Sequence, residues 1–415
     1  MSPSKRWLPW LALLLGALIH GAALMPAWEQ TRTARHGRDF ASYHYAVQAA
    51  EQGLDPYDAK VLGQLARQEK TRKSVHPFFY PPPFLLAMQW TRPLSLESAY
   101  KLWFWLDALA LLAAGLALYR WLPRPGALVA MGVLLAAFSP IPNNHLMGQM
   151  NLPVLALTLW GMHLSLSREE SGWQVSAGAL VGLAAMLKMS PGLLVAWWLL
   201  RGQWRAAAGA VGAAILLSVA TLPVLGWEQQ LHFYMDVLPS FSSGGYGGLT
   251  VPISLFGNHS IANLWAQLWP APDALSPIAH RVTSLSVLIL VVCVFAATRK
   301  VRDPLPALLG TSALFILMAL TPVYTYEHHV VWALPAWVAL SVALWEGRLH
   351  RGWVALLLPA LVVACWPIAS WKALAKDAGA LRWWMQEAKS MALVLQLSLS
   401  SWLAFSLSRV RRRAD

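Results

Sequence analysis

Charge is scarce in this sequence: Asp, Glu, Lys and Arg make up 12% of its 415 residues, about half the share of a soluble globular domain. So little charge cannot clothe a water-soluble body, and lipid-facing surface is where apolar side chains need no such covering. Acidic residues are scarcer still, 19 against 32 Lys and Arg. Cysteine is nearly missing. Cys293 and Cys365 both fall inside apolar runs, which excludes a disulfide framework and a cysteine-based zinc site. No soluble domain, repeat of fixed period or low-complexity tract interrupts the chain.

What is abundant is apolar sequence, 57% of residues, together with 24 tryptophans, the residue of aromatic belts at membrane interfaces. The net charge of +13 does not mark a nucleic-acid binder, because the basic residues sit in short stretches beside apolar runs. Lys5 and Arg6 precede the first run. Arg299, Lys300 and Arg302 lie between two runs, as do Arg348, His350 and Arg351, and Arg409, Arg411, Arg412 and Arg413 follow the last. This is the positive-inside pattern. Runs long enough to cross a membrane cover 7–28, 99–120, 125–140, 147–166, 204–225, 282–298, 305–321, 329–346, 351–370 and 389–408, each near the ~20 residues a spanning helix needs. The first reads as a retained signal anchor. The expected fold is an all-α polytopic membrane bundle of about ten to thirteen transmembrane helices, one membrane domain over 1–415, with external loops bearing short helices.

Two polar stretches stand out. The first, 29–80, reads as a helix near 40–52, a turn at Gly53-Leu54-Asp55-Pro56 and a helix near 58–70. The second, 226–281, is rich in Gly, Pro, Ser and Asn. With the basic loops inside, both stretches face outside, as do 322–328 and 371–388. Arg201 and Arg205 belong inside, so an odd number of crossings separates 29–80 from them. Either 81–94 crosses and 173–200 is one long helix, or 81–94 only dips and 173–200 is two short helices meeting outside at Lys188-Met189-Ser190-Pro191. The second arrangement is favoured. It puts Arg120 and Arg124 inside and lifts Lys188 from the bilayer centre, where a bare ammonium costs at least ~2.5 kcal/mol; Pro191 marks the break.

Several polar constellations then face the outside. Asp39 sits where a helix would begin, so it is either a cap or a carboxylate free to act as a base; Asp55 and Asp58 nearby suit a turn and a helix cap. Lys188 is either a lysine reaching for the interface or a cation for a phosphate beside helix N-terminal amides. Tyr324-Thr325-Tyr326-Glu327-His328-His329 carries two adjacent histidines. Neighbouring histidines on a helix point apart, which makes a poor metal site, and hydrogen bonding to a sugar or phosphate suits them better. Asn143, Asn144, Gln149 and Asn151, with Asn258, His259 and Asn263, are amides and an imidazole in apolar context. They bond either to neighbouring helices or to sugar hydroxyls.

Taken in order, these segments resemble glycosyltransferase family 87, the polyprenyl-phosphate-mannose-dependent type of the GT-C superfamily. The matching elements are Asp39-Phe40 with Tyr43, Gly53-Leu54-Asp55-Pro56-Tyr57, Tyr80-Pro81-Pro82-Pro83-Phe84, Gly148-Gln149-Met150-Asn151, Leu187-Lys188-Met189-Ser190-Pro191, Asn258-His259-Ser260, and Thr321-Pro322 through His328-His329. The resemblance implies a GT-C bundle that moves a hexose from a polyprenyl phosphate, with inversion and without a metal or cofactor. The catalytic aspartate maps onto Asp39. Lys188 with His328 or His329 is then expected at the donor phosphate. Tyr43, Asn143, Asn144, Gln149, Asn151, Asn258, His259, Asn263 and Glu327 are expected around sugar and acceptor. The expected partners are the lipid-linked donor, a lipid or glycan acceptor and the bilayer of a plasma (inner) membrane. A transporter of lipid-linked sugars would favour two related halves, which the sequence lacks; a glycan ligase would share the external site.

Overall fold

The structure is a computed structural model that describes residues 6–32, 37–167, 171–245, 251–272 and 274–412. Lys5 and Arg413 of the basic ends lie outside the described residues. Among these, all regular structure is helical, as the apolar runs require, because a helix satisfies its backbone polar groups within one segment. Six helices are long and apolar enough to cross a membrane, and up to eight if each of two bent pairs is one span. Three shorter apolar helices, Gly172–Leu187, Ser190–Leu200 and Pro304–Leu320, join them. Pro304–Leu320 is buried at every position from Leu305 onward, as expected of a helix apolar on every side. It packs between Arg382–Arg412 and Leu334–Trp345.

The stretch 81–94 forms only a short helix, Pro83–Ala87, and a single turn, Gln89–Thr91, so it dips rather than crosses. The stretch 173–200 is broken. Ser171–Leu187 ends just before Lys188, a turn at Ser190–Gly192 follows, and Leu193–Leu200 resumes. The two limbs share one end. Gln174 on the first and Gln203 just after the second both donate to the Ser165 carbonyl, at 2.8 and 3.1 Å. Arg201 donates to the carbonyls of Thr298, Arg299 and Val301 and stacks on Trp197. At the opposite end the Lys188 ammonium reaches Asn151. The chain therefore goes up one limb and down the other, with Lys188 at the crest. Arg124 pairs with Glu346, which brings Arg124 to the end of the bundle where the 346–351 loop lies. One end of the bundle thus gathers basic loops, and the other holds the polar stretches.

The helix Trp204–His232 lies closely against Ser171–Leu187. A Cβ at Gly178 would overlap the backbone carbonyl of Ala206, and one at Gly182 that of Ala210. Small residues four apart let membrane helices approach to backbone contact, where dispersion and not hydrophobicity drives association. Gly178→Val is expected to force the two helices apart and cost about 1–3 kcal/mol. A thermal melt of the detergent-solubilised protein checks this, and an unchanged Tm would contradict the packing.

Candidate functional site

The helix Arg38–Glu51 carries Asp39 in its first turn. Gly37 precedes it with φ 69°, left-handed backbone that glycine enters without strain. A Cβ at Gly37 would come within 2.7 Å of the Tyr100 ring. The Gly37 amide donates to the Leu146 carbonyl at 2.9 Å, and Tyr100 donates its hydroxyl to His145 and Leu146 carbonyls, each at 2.9 Å. These bonds seat the start of the helix on the end of Pro140–Met147 and aim Asp39 into the cluster around Lys188.

The Asp39 carboxylate is 15% exposed and lies 3.1 Å from His76 Nδ1. Burial works to raise its pKa, but the His76 hydrogen bond and the field of His328 outweigh burial and hold the carboxyl below its usual range. One helical turn on, the Tyr43 hydroxyl meets the Tyr80 hydroxyl at 2.7 Å, and both point at Gln149 Oε1, at 3.3 and 2.9 Å. Burial pushes both phenols up, which keeps them protonated as donors. Asp55 and Asp58 are occupied locally. Asp55 accepts from the Tyr57 amide at 2.9 Å, an Asx turn. Asp58 caps Ala59–Gln68 by accepting from the Lys60 amide at 2.8 Å.

Across from Asp39 lies a chain of amides. Asn144 Nδ2 donates to Asp107 Oδ2 at 2.9 Å and to the Gln149 carbonyl at 3.1 Å. Asn151 Nδ2 donates to Asn144 Oδ1 at 3.1 Å and to the His328 carbonyl at 3.0 Å. Lys188 Nζ donates to Asn151 Oδ1 at 2.6 Å. Asp39, Lys188 and His328 are close enough to influence one another's charge. Asn143 sits half-buried beside Asn144.

The other residues singled out from the sequence serve elsewhere. Glu327 is buried and faces Lys389 Nζ at 2.6 and 2.7 Å, with the Ser139 hydroxyl at 2.8 Å. His259 Nε2 lies 3.7 Å from the same carboxylate. Asn258 spends its amide on main chain, donating to Ile253 and Val323 carbonyls and accepting from Ser260 and Thr325 amides. Asn263 donates to Glu387 at 2.8 Å. His329 Nδ1 accepts from the Tyr326 amide at 2.9 Å. The structure thus gathers Asp39, Tyr43, Asn144, Gln149, Asn151, Lys188 and His328, while Asn258, Asn263 and Glu327 brace the segments behind them. It adds His76, Tyr80, Asp107 and Lys389, which sequence reasoning missed. Tyr80 was within reach as part of a quoted motif, whereas Asp107 and Lys389 each lie inside an apolar run and their partners are distant in sequence. Among the described residues no group of three His, Cys, Asp or Glu side chains is arranged to hold a metal ion.

A hydrogen bond to the charged form of a carboxyl lowers its pKa, so removing the His76 donor raises it. In His76→Leu, Asp39 is expected to titrate at higher pH. Infrared difference titration, with Asp39→Asn as the blank, measures this; an unmoved Asp39 band would contradict the contact.

Comparison with known proteins follows this geometry. Residues 78–322 match the family model of glycosyltransferase family 87. That stretch holds Tyr80, Asp107, Asn144, Gln149, Asn151 and Lys188; Asp39 precedes it and His328 follows it. A polyprenol-phosphate-mannose-dependent alpha-(1-2)-phosphatidylinositol mannoside mannosyltransferase of Mycobacterium tuberculosis is 27% identical over 238 residues, 55% of this chain and 51% of that protein. The protein of that name from Mycolicibacterium smegmatis is 26% identical over 231 residues, 54% and 48% of the two chains. The chain thus aligns with about half the length of these relatives. Among solved structures, ArnT from Cupriavidus metallidurans bound to undecaprenyl phosphate superposes with a TM-score of 0.49 at 17% identity, over 95% of this chain and 77% of that one. With its family model matched over more than half its length, the chain belongs to glycosyltransferase family 87.

Proposed function

We propose that this chain transfers a hexose, in the first instance mannose, from a polyprenyl-phosphate donor to a hydroxyl of a lipid or glycan acceptor at the external face of the plasma (inner) membrane. The observation that carries the reading is the hydrogen-bonded link from Lys188 through Asn151 to the His328 carbonyl, with Asp39 within electrostatic reach, at the end of the bundle opposite the basic loops. The family and the names of the relatives support the donor class.

The mechanism follows from the groups present. Lys188 brings a cation, and the half-turn Ser190–Gly192 beside it begins a helix, so charge and backbone amides together suit a phosphate. His328 flanks the same place. Asp39 accepts the acceptor's hydroxyl proton as the acceptor oxygen attacks the anomeric carbon. The bond from that carbon to the phosphate oxygen breaks in line, its electron pair stays on the phosphate, and the configuration inverts. No general acid is needed, because a phosphate departs as a stable anion, in contrast to the paired carboxyls of glycoside hydrolysis. Tyr43, Tyr80 and Gln149 form a fixed polar wall beside Asp39, suited to holding sugar hydroxyls. Asn143 is the outer member of the proposed sugar-contacting set.

The experiment is transfer by protein in nanodiscs from labelled polyprenyl-phosphate-mannose into a membrane lipid extract. Wild type is expected to label a new lipid or glycan. Asp39→Asn is expected to lower kcat by about 10²–10⁴-fold, and Lys188→Met to raise the donor KM. Donor binding without transfer across a panel of lipid-linked sugars would overturn the reading in favour of transport.

A further inference from the structure

Asp107 sits inside the helix Leu96–Trp121, with no side-chain exposure, beside an equally buried His145 whose Nδ1 is 2.9 Å from Asp107 Oδ2. A fully buried carboxylate within a spanning helix is costly and marks a role, and nothing in the reaction as described uses it. We infer that Asp107 is a positioning residue that, as the charged acceptor at its head, polarises the Asn144–Asn151 amide relay, so that Lys188 is held facing the donor phosphate.

The inference deepens the function proposed above and rests on it. Its basis is hydrogen-bond polarity. An ionised carboxylate accepts and does not donate, so the amide facing it must present nitrogen. Asn144 does so, with Nδ2 2.9 Å from Asp107 Oδ2. Its oxygen is thereby turned the other way, toward Asn151, and accepts from Asn151 Nδ2 at 3.1 Å. Asn151 now has its nitrogen committed twice, to Asn144 and to the His328 carbonyl. Its oxygen is the atom left for Lys188, at 2.6 Å. Flip either amide and two donors or two acceptors meet. The terminal carboxylate is therefore the charged acceptor at the head of the chain, beside the Gln149 carbonyl, and each polarised link strengthens the next in a low-dielectric interior. Asn151 also ties together the two groups proposed at the phosphate, the Lys188 ammonium and the His328 main chain. The Gln149 carbonyl accepts from the same Asn144 nitrogen at 3.1 Å, so without a carboxylate at 107 a neutral bond alone would hold Asn144 in this sense, and the charge-assisted head of the chain would be lost while the shape stayed the same.

The test compares donor KM, acceptor KM and kcat for four nanodisc-reconstituted proteins: wild type, Asp107→Asn, the exchange Asp107→Asn with Asn144→Asp, and Lys188→Met. In the exchange, the carboxylate at 144 accepts from Asn151 directly, so a charged acceptor again heads the last two links, at the cost of the bond from 144 to the Gln149 carbonyl. Asp107→Asn is expected to raise donor KM about tenfold, the scale of one lost hydrogen bond to a charged group. Acceptor KM should hold, and the exchange should recover part of the loss. A merely structural Asp107 would change both KM values together and gain nothing from the exchange. Should Asp107→Asn not yield folded protein, Asn144→Ala is read instead, since it cuts the relay one link nearer Lys188 and leaves the Asp107–His145 pair intact. Wild-type donor KM in Asp107→Asn, or an exchange no better than the single variant, overturns the inference. Wild-type donor KM in Lys188→Met instead overturns the site reading on which it rests.

Discussion

The site end of this molecule depends on one contact, the 2.6 Å bond from Lys188 Nζ to Asn151 Oδ1. An ammonium on an apolar segment needs a partner, because leaving it bare in hydrocarbon costs at least ~2.5 kcal/mol. Breaking the 173–200 stretch at Lys188-Met189 and folding it back brings the charge to the crest of two short limbs. There Asn151, itself seated on Asn144 and the His328 carbonyl, receives it. Remove that contact and three things lose their mutual reference: the crest, the start of Asn151–Ser167 and the segment from Glu327.

The remaining parts act as braces that leave this centre open. The Glu327–Lys389 pair joins the last helix to the segment carrying His328, and the Lys389 ammonium also reaches the Trp366 carbonyl at 2.7 Å. Asn258 knits the 226–281 loop to the strip Val323–Thr325 through two main-chain bonds, to the Val323 carbonyl and from the Thr325 amide. Gly37 and Tyr100 lock the start of the Asp39 helix. Buried charge is thus used twice, once to tie helices together and once, at Asp39 and Lys188, to set opposite charges within reach of each other. The first use costs desolvation that pairing offsets.

Much of the fold was legible because a bilayer imposes simple rules. Run length located the spanning helices to within a few residues, as with 99–120 against Leu96–Trp121. Charge parity chose between one long and two short helices at 173–200, and the structure has the two short ones. The run 351–370 hid a sharp bend, since Val354–Cys365 and Ile368–Ala375 are separated by a turn of 103° in the bent pair; apolar composition carries no signal for direction. The polar site was legible in part. Asp39, Lys188 and His328 sit together, and the turn and cap roles read for Asp55 and Asp58 are what their carboxylates do. Asn258 and Asn263 could not be sorted from Asn144 and Asn151 by sequence, since all four are amides in apolar context. Only distance shows that the first two face main chain and Glu387. Asp107 and Lys389 stayed hidden because each compensating partner lies far along the chain, His145 and Glu327, and a run's mean hydropathy is insensitive to one charge.

The most direct test is the structure of the nanodisc-embedded protein with bound polyprenyl phosphate. The phosphate is expected within about 4 Å of Lys188 Nζ, the reach of an ion pair, and beside His328, with Asp39 facing the open side from which an acceptor would approach. A phosphate bound instead at the opposite end, among Arg201, Arg205 and Arg302, which line a common cleft, would contradict the site.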